Sequence, residues 1–205
     1  MKKLLIATTN KGKLKEISFF LSDLNIEILS LKDVGISNGI EETGKTYREN
    51  SQSKALFYAK KSGIPSIADD GGIEISALDN QPGVKSRRWL GYEANDSDLV
   101  NHMIKISQNL PENNRKAFFK TVISLAFPDG RVWSVDGEIE GVISKKPYLK
   151  LLSGYPYRSF FYLPGVRKYY HEDELTREEQ KEYNHRYKAI NKLKPIIIRE
   201  LGLQF

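Results

Sequence analysis

The 205-residue chain contains no cysteine. Disulfides, thiolate nucleophiles and cysteine-bound metals are therefore excluded, and a reducing cytoplasm is the expected location. Long apolar runs are also missing. The N-terminal stretch MKKLLIATTNKG is basic, but its apolar part is too short for a signal-peptide core. No run approaches the length of a membrane span. A soluble, cytoplasmic protein without a membrane partner is expected. Nor is there a block of lysine or arginine, since the net charge of +6 is spread along the chain. A basic balance favours anionic partners such as nucleotides or nucleic acid, and the scatter of charge weakens the nucleic-acid reading. Repeats, low-complexity tracts and long linkers are absent too. One domain over residues 1–205 is expected, with the antiparallel middle portion as a candidate second lobe.

What is present suits an α/β fold. With 40% hydrophobic residues the chain can bury a substantial core. Lys3 to Thr8 reads as a buried strand. Leu14, Ile17 and Leu21 share one face of a helix expected over 11–23, which Asn10 can cap. Ile26–Leu31 reads as a second strand, and the βαβ order suggests a parallel core. Further helices are expected over 47–61 and 96–108. Strands are expected over 64–68, 73–78, 116–127, 131–136 and 138–144. Thr176-Arg-Glu-Glu179 is a capping-box pattern, opening a helix that runs to about Leu201 with a kink near Pro195.

The stretch IADDGGIEI, residues 67–75, poses the central question. Asp-Gly between apolar residues is a hairpin signal, because tight turns need positive φ. A turn gains nothing from a second acid, however, and adjacent like charges repel unless a cation or donors sit nearby. Turn and reactive site both remain open on this segment alone.

Three clusters could carry chemistry. Thr8, Thr9, Asn10, Lys11, Gly12 and Lys13 lie between a strand and a helix, where hydroxyls, lysines and a helix start could cradle phosphate. An ordinary capped turn is the alternative. Glu41, Glu42, Asp69 and Asp70 come from two loops, a pattern suited to Mg²⁺, or to two solvated acidic loops. Asn184-His185-Arg186, with Lys188 one turn on, could face an anion or line a solvated helix. No companions of His102 or His171 suggest a metal site.

Taken together these clusters resemble the inosine/xanthosine triphosphate pyrophosphatases, which clear purine nucleotides outside the usual set. The ordered match runs Thr8-x-Asn10-x-Gly12-Lys13, Glu41-Glu-Thr-Gly44, Glu49-Asn50, Lys54, Ala68-Asp-Asp-x-Gly72, Pro82-Gly-Val84, Ser86-x-Arg88, Gly137-x-Ile-x-Gly141, His185-Arg186 and Lys188-Ala189. It covers nearly the whole chain. The resemblance implies an elongated α/β structure with a long twisted mixed sheet, two lobes, a central cleft, and a homodimer. It implies hydrolysis of a nucleoside triphosphate to the monophosphate and pyrophosphate. Asp70 would be catalytic, orienting or deprotonating the attacking water, and a Mg²⁺ ligand, with Glu41 as the second ligand. Lys13, Lys54 and Lys11 would neutralise the triphosphate, Arg186 would clamp phosphate or base, and His185 would approach the base.

Three departures concern substrate contacts. Gly71 stands where the family has serine. The family's base-reading Gly-Phe-Gly-Tyr-Asp-Pro is here Gly154-Tyr155-Pro156-Tyr157-Arg158-Ser159. Gln180 replaces a lysine, although Lys181 is adjacent. An adenine-type or modified base is therefore an alternative substrate. A catalytically silent nucleotide binder and a basic nucleic-acid binder are alternatives from other classes.

Overall fold

A computed structural model describes residues 1–204. Eight strands form one mixed sheet: β1 (Lys2–Ile6), β2 (Ile26–Ser30), β3 (Ser66–Ile75), β4 (Gln81–Pro82), β5 (Lys116–Ala126), β6 (Val132–Ile143), β7 (Phe161–Leu163) and β8 (Lys168–Tyr169). Their order is β2-β1-β3-β5-β6-β7-β8, with β4 beside β3. The helices are α1 (Lys11–Phe20), α2 (Tyr47–Ser62), α3 (Asp96–Asn109), α4 (Arg177–Glu182) and α5 (His185–Leu201). No described helix is long and apolar enough to cross a membrane. The chain groups into two compact units. One holds Met1–Asp70, Thr121–Gly137 and the chain from Arg186 on; the other holds Gly71–Lys120 and Glu138–His185.

In the first unit β1 pairs in parallel with β2 and with β3. Side chains alternate between the two faces of a strand, and here the alternation sorts the core. Leu4, Ile6, Ile67, Ile123 and Leu125 pack with Ile17 and Phe20 of α1 and with Ala189, Ile190 and Leu193 of α5. Leu5, Ala7, Ala68 and Ala126 pack instead with Ala55, Tyr58 and Ala59 of α2. Both faces are therefore covered, as a sheet with a parallel core requires. The helices start where their caps predict. Asn10 caps α1, and Thr46 with Glu49 forms a capping box on α2. The second unit has its own core around Ile73, Leu99, Met103, Phe119, Phe160 and Phe161.

Several sequence expectations are corrected. Residues 66–75 form one continuous strand rather than two strands flanking a turn. Gly72 serves close approach: a Cβ there would lie 2.1 Å from Ser86 Oγ. Ser86 Oγ also accepts the Ile73 N–H at 3.0 Å. Residues 132–143 are likewise one strand rather than the two expected over 131–136 and 138–144. The expected C-terminal helix is two helices, α4 and α5, broken at Tyr183-Asn184, and Pro195 lies inside α5. The short strands β4, β7 and β8 had no periodic signal to betray them.

Candidate active site

The sheet alternation that sorts the core also separates the two aspartates. Asp69 continues the Ile67 face toward α1 and α5, and Asp70 continues the Ala68 face toward α2. Their contacts follow. Asp69 is buried. It pairs with Lys13 of α1 at 2.6 Å and with Arg186 of α5 at 3.2 Å, and accepts a hydrogen bond from Thr121 of β5. Burial alone would raise its pKa; Arg186 and Lys13 overcome that and hold it far below the usual carboxylate range. Arg186 is buried too, and its other partner is Glu16 at 3.2 Å.

Asp70 has a different setting. Its Oδ2 accepts from the Asn50 amide at 3.0 Å, and its Oδ1 lies 3.8 Å from Lys54 Nζ. Lys54 also donates to Glu42 at 2.5 Å and to the Asp69 carbonyl at 2.9 Å. Burial pushes the Asp70 pKa up; Lys54 opposes this, and the Glu42 charge adds to it. Burial works against the Lys54 ammonium, but Asp70, Glu42 and Asp69 outweigh it and raise its pKa. Asn50 Oδ1 accepts the Gly44 N–H at 2.8 Å, which ties the acidic loop to the helix carrying Lys54. Only glycine fits there, because a Cβ on residue 44 would lie 2.5 Å from Asn50 Oδ1.

The expected residues are thus partly united and partly not. Asp70, Lys54, Lys13 and Arg186 gather around the aspartate pair. The acid beside Asp70 is Glu42, whereas Glu41 is exposed. The start of α1 behaves as a capped turn, since the Gly12 and Lys13 amides donate to Asn10 Oδ1 at 2.8 and 3.1 Å. Thr8 Oγ1 in turn accepts the Asn10 N–H at 3.2 Å. Thr9 and Lys11 are exposed. Asn50, Glu16 and Thr121 join the cluster without having been singled out as site residues, and Glu42, named within the acidic cluster, joins it where Glu41 was the expected ligand. For Asn50 the signal was present, in the Glu49-Asn50 pair after the acidic loop.

The remaining expected residues belong to the second unit. Gly71 is half-buried on β3. Pro156 and Tyr157 are buried, and Tyr157 donates to the Ser86 carbonyl at 2.5 Å. Gln180 donates to the Leu175 carbonyl at 3.1 Å, and Lys181 is exposed. Arg158 is buried, so it does not turn to solvent as a long cationic side chain often does. His185 is buried, with Nδ1 3.2 Å from the Tyr170 hydroxyl and its ring stacked on Phe119.

The donor set around Asp70 suits a hard divalent cation. Glu16, Glu42, Asp69 and Asp70 face three cations, Lys13, Lys54 and Arg186, which leaves a net negative cluster. No group of three or more metal-binding side chains occurs among the described residues. Mg²⁺ needs no such group, because one or two carboxylates with water and substrate phosphates complete its shell.

A model of the Ham1 family matches residues 4–196. The chain belongs to the Ham1 family. The Ham1 relatives include a dITP/XTP pyrophosphatase of Thermoanaerobacter pseudethanolicus. It is 38% identical over 199 residues, covering 97% of this chain and 98% of that one. The dITP/XTP pyrophosphatase of Desulforamulus reducens is 34% identical over 96% of both chains. Among solved structures, the HAM1 protein of Coxiella burnetii superposes with a TM-score of 0.81 at 31% identity, covering 97% of this chain and all of that one. The mixed α/β architecture of this chain is thus the Ham1 architecture. The aspartate pair lies within the segment matched to the Ham1 model.

Proposed function

We propose that this chain hydrolyses purine nucleoside triphosphates outside the usual set, dITP and XTP, to the monophosphate and pyrophosphate with a divalent metal. Membership of a family whose relatives bear that activity in their names supports the reaction class. The observation that carries the reading is Asp70, a buried carboxylate of raised basicity set beside a lysine and a second acid. A general base works best when its pKa is moved toward the working pH.

In this reading Asp70 takes a proton from the attacking water. Asn50 holds Asp70 Oδ2, which leaves Oδ1 for that role. Lys54 and Lys13 offset the charge that develops on the phosphate chain. Asp69 keeps Arg186 and Lys13 in place. Asp70 and an acid of the 41–42 loop would hold Mg²⁺, and proximity to Asp70 favours Glu42 over Glu41. When bound, the metal polarises the phosphoryl oxygens. The family resemblance assigns Tyr155 and His185 to the base. A homodimer rests on the family resemblance and a cytoplasmic location on the lack of cysteine, and sedimentation of the pure protein by analytical ultracentrifugation checks the first.

The test is product release from a panel of nucleoside triphosphates with and without Mg²⁺. Pyrophosphate should appear in one step, and XTP or dITP should exceed ATP in kcat/KM by about a hundredfold, which is roughly 2.7 kcal/mol of discrimination. Release of inorganic phosphate and a nucleoside diphosphate first would overturn the reading.

A further inference from the structure

The second unit contains a column of stacked groups that includes Tyr155 and His185, assigned above to the base, together with Arg158, which the chemistry above does not use. The Arg158 guanidinium carbon lies 3.8 Å from the Tyr155 ring centroid and 4.3 Å from that of Tyr170. Tyr170 meets the His185 ring edge-on, with centroids 5.9 Å apart. His185 then stacks on Phe119 at 5.3 Å, nearly parallel at 20°. Arg158, Tyr170, His185 and Phe119 are buried, and Tyr155 alone is half-exposed. The column thus runs from the core to one accessible aromatic ring.

A guanidinium is flat and weakly hydrated, so both its faces can lie against rings. Each tyrosine face is the negative pole of its ring and attracts the cation. An ammonium has no flat face and cannot hold two rings in this way. Arg158 thus packs against both the Tyr155 and the Tyr170 ring. Aromatic platforms bind nucleobases by stacking, with tolerance for the pattern on the base edge.

We propose that Arg158 is a positioning residue for base binding: its guanidinium, held between the Tyr155 and Tyr170 rings, fixes the plane of Tyr155 as the platform on which the substrate purine stacks. This rests on the reading that Tyr155 meets the base. The residue sets how strongly the enzyme separates a triphosphate with a base from one without.

The test measures kcat and KM for XTP and for ribose 5-triphosphate, which has no base. The wild type is compared with Arg158→Met, Tyr155→Leu and the double variant. The ratio of kcat/KM for XTP to that for ribose 5-triphosphate should fall about tenfold in Arg158→Met, as expected when one base stack is weakened. The fall should lie in KM for XTP rather than in kcat. Tyr155→Leu should lower the ratio similarly, and the double variant should fall little further, because both act through one ring. An unchanged ratio in Arg158→Met, or losses that multiply in the double variant, overturns the proposal. Arg158→Lys keeps the charge without the flat face and serves if the methionine variant does not fold. It should raise KM for XTP severalfold, and a wild-type KM in that variant also overturns the proposal. A wild type that hydrolyses XTP no better than ribose 5-triphosphate overturns the base-contact reading and this proposal with it. A selective wild type whose ratio no variant moves overturns the proposal alone.

Discussion

Asp69 meets two cationic side chains and a hydroxyl donor. Asp70, one residue further along the same strand, meets one amide and shares its lysine with a second carboxylate. The first is held ionised and the second is pushed toward protonation. No difference in residue type separates them. Strand alternation alone sends one to the α1/α5 face and the other to the α2 face. Adjacent identical residues can therefore divide structural and chemical work when a sheet has helices on both sides.

Exchanging each acid for its amide is the strongest way to break this comparison. Asp70→Asn should lower kcat by about 10²- to 10⁴-fold, the usual cost of losing a general base. The urea midpoint of the metal-free protein should not fall, because the replaced carboxylate was unfavourably buried. Near-wild-type turnover by this variant would remove Asp70 from the mechanism. Asp69→Asn should behave in the opposite way. It leaves Lys13 and Arg186 without their shared counter-ion, and breaking such a buried pair costs about 3–5 kcal/mol of stability. Urea denaturation followed by circular dichroism reads this directly, and an unchanged midpoint would deny Asp69 its structural role.

Acid titration sharpens the same contrast with smaller effects. The depressed pKa of Asp69 means that its ionised form stabilises the fold. That contribution is present above the unfolded value of about 3.9 and is lost as pH falls through the folded value. In chelator, the stability gap between wild type and Asp69→Asn should therefore shrink in strong acid. The raised pKa of Asp70 has the reverse sign. Its protonated form is favoured in the fold, and that benefit is lost as pH rises through the folded value. Wild type should thus be less stable than Asp70→Asn at neutral pH and approach it as pH falls. Parallel pH curves for the two variants would contradict the opposed environments. The smallest effect is expected from Thr121→Val, which removes one hydrogen bond to a charged acceptor worth about 1.5–3 kcal/mol. Its midpoint should fall less than that of Asp69→Asn, with kcat less affected than in Asp70→Asn.

The sequence made the first unit largely readable. The period of Leu14, Ile17 and Leu21 and the Asn10 cap are local signals, and α1 lies where those signals put it. Asp69-Asp70-Gly71-Gly72 misled because its local pattern matches a turn, while pairing with neighbouring strands and the approach of Ser86 decide its actual course. The same limit applied to the site. Asp70, Lys54 and Lys13 stood out through motif spacing. Arg186 also stood out, but its pairing with Asp69 did not, because 117 residues separate the two and only the fold brings them together. Glu42 could not be separated from Glu41 by spacing, since neighbouring loop residues point in directions that a one-dimensional pattern does not encode. Arg158 read as a lost acceptor; that it stacks between two tyrosines depends on Tyr170, which carried no signal.

Lys54 lies 2.5 Å from Glu42 and 3.8 Å from Asp70, so these acids have an internal cation before any metal arrives. An incoming divalent ion must compete with that ammonium, and the protein does not depend on the ion to neutralise its own acids. Chelation is therefore expected to silence the enzyme without unfolding it, and restored metal should return activity at the rate of binding rather than of refolding. A cell passing through a spell of metal scarcity would then keep its existing molecules in a dormant form, ready to resume work without new synthesis.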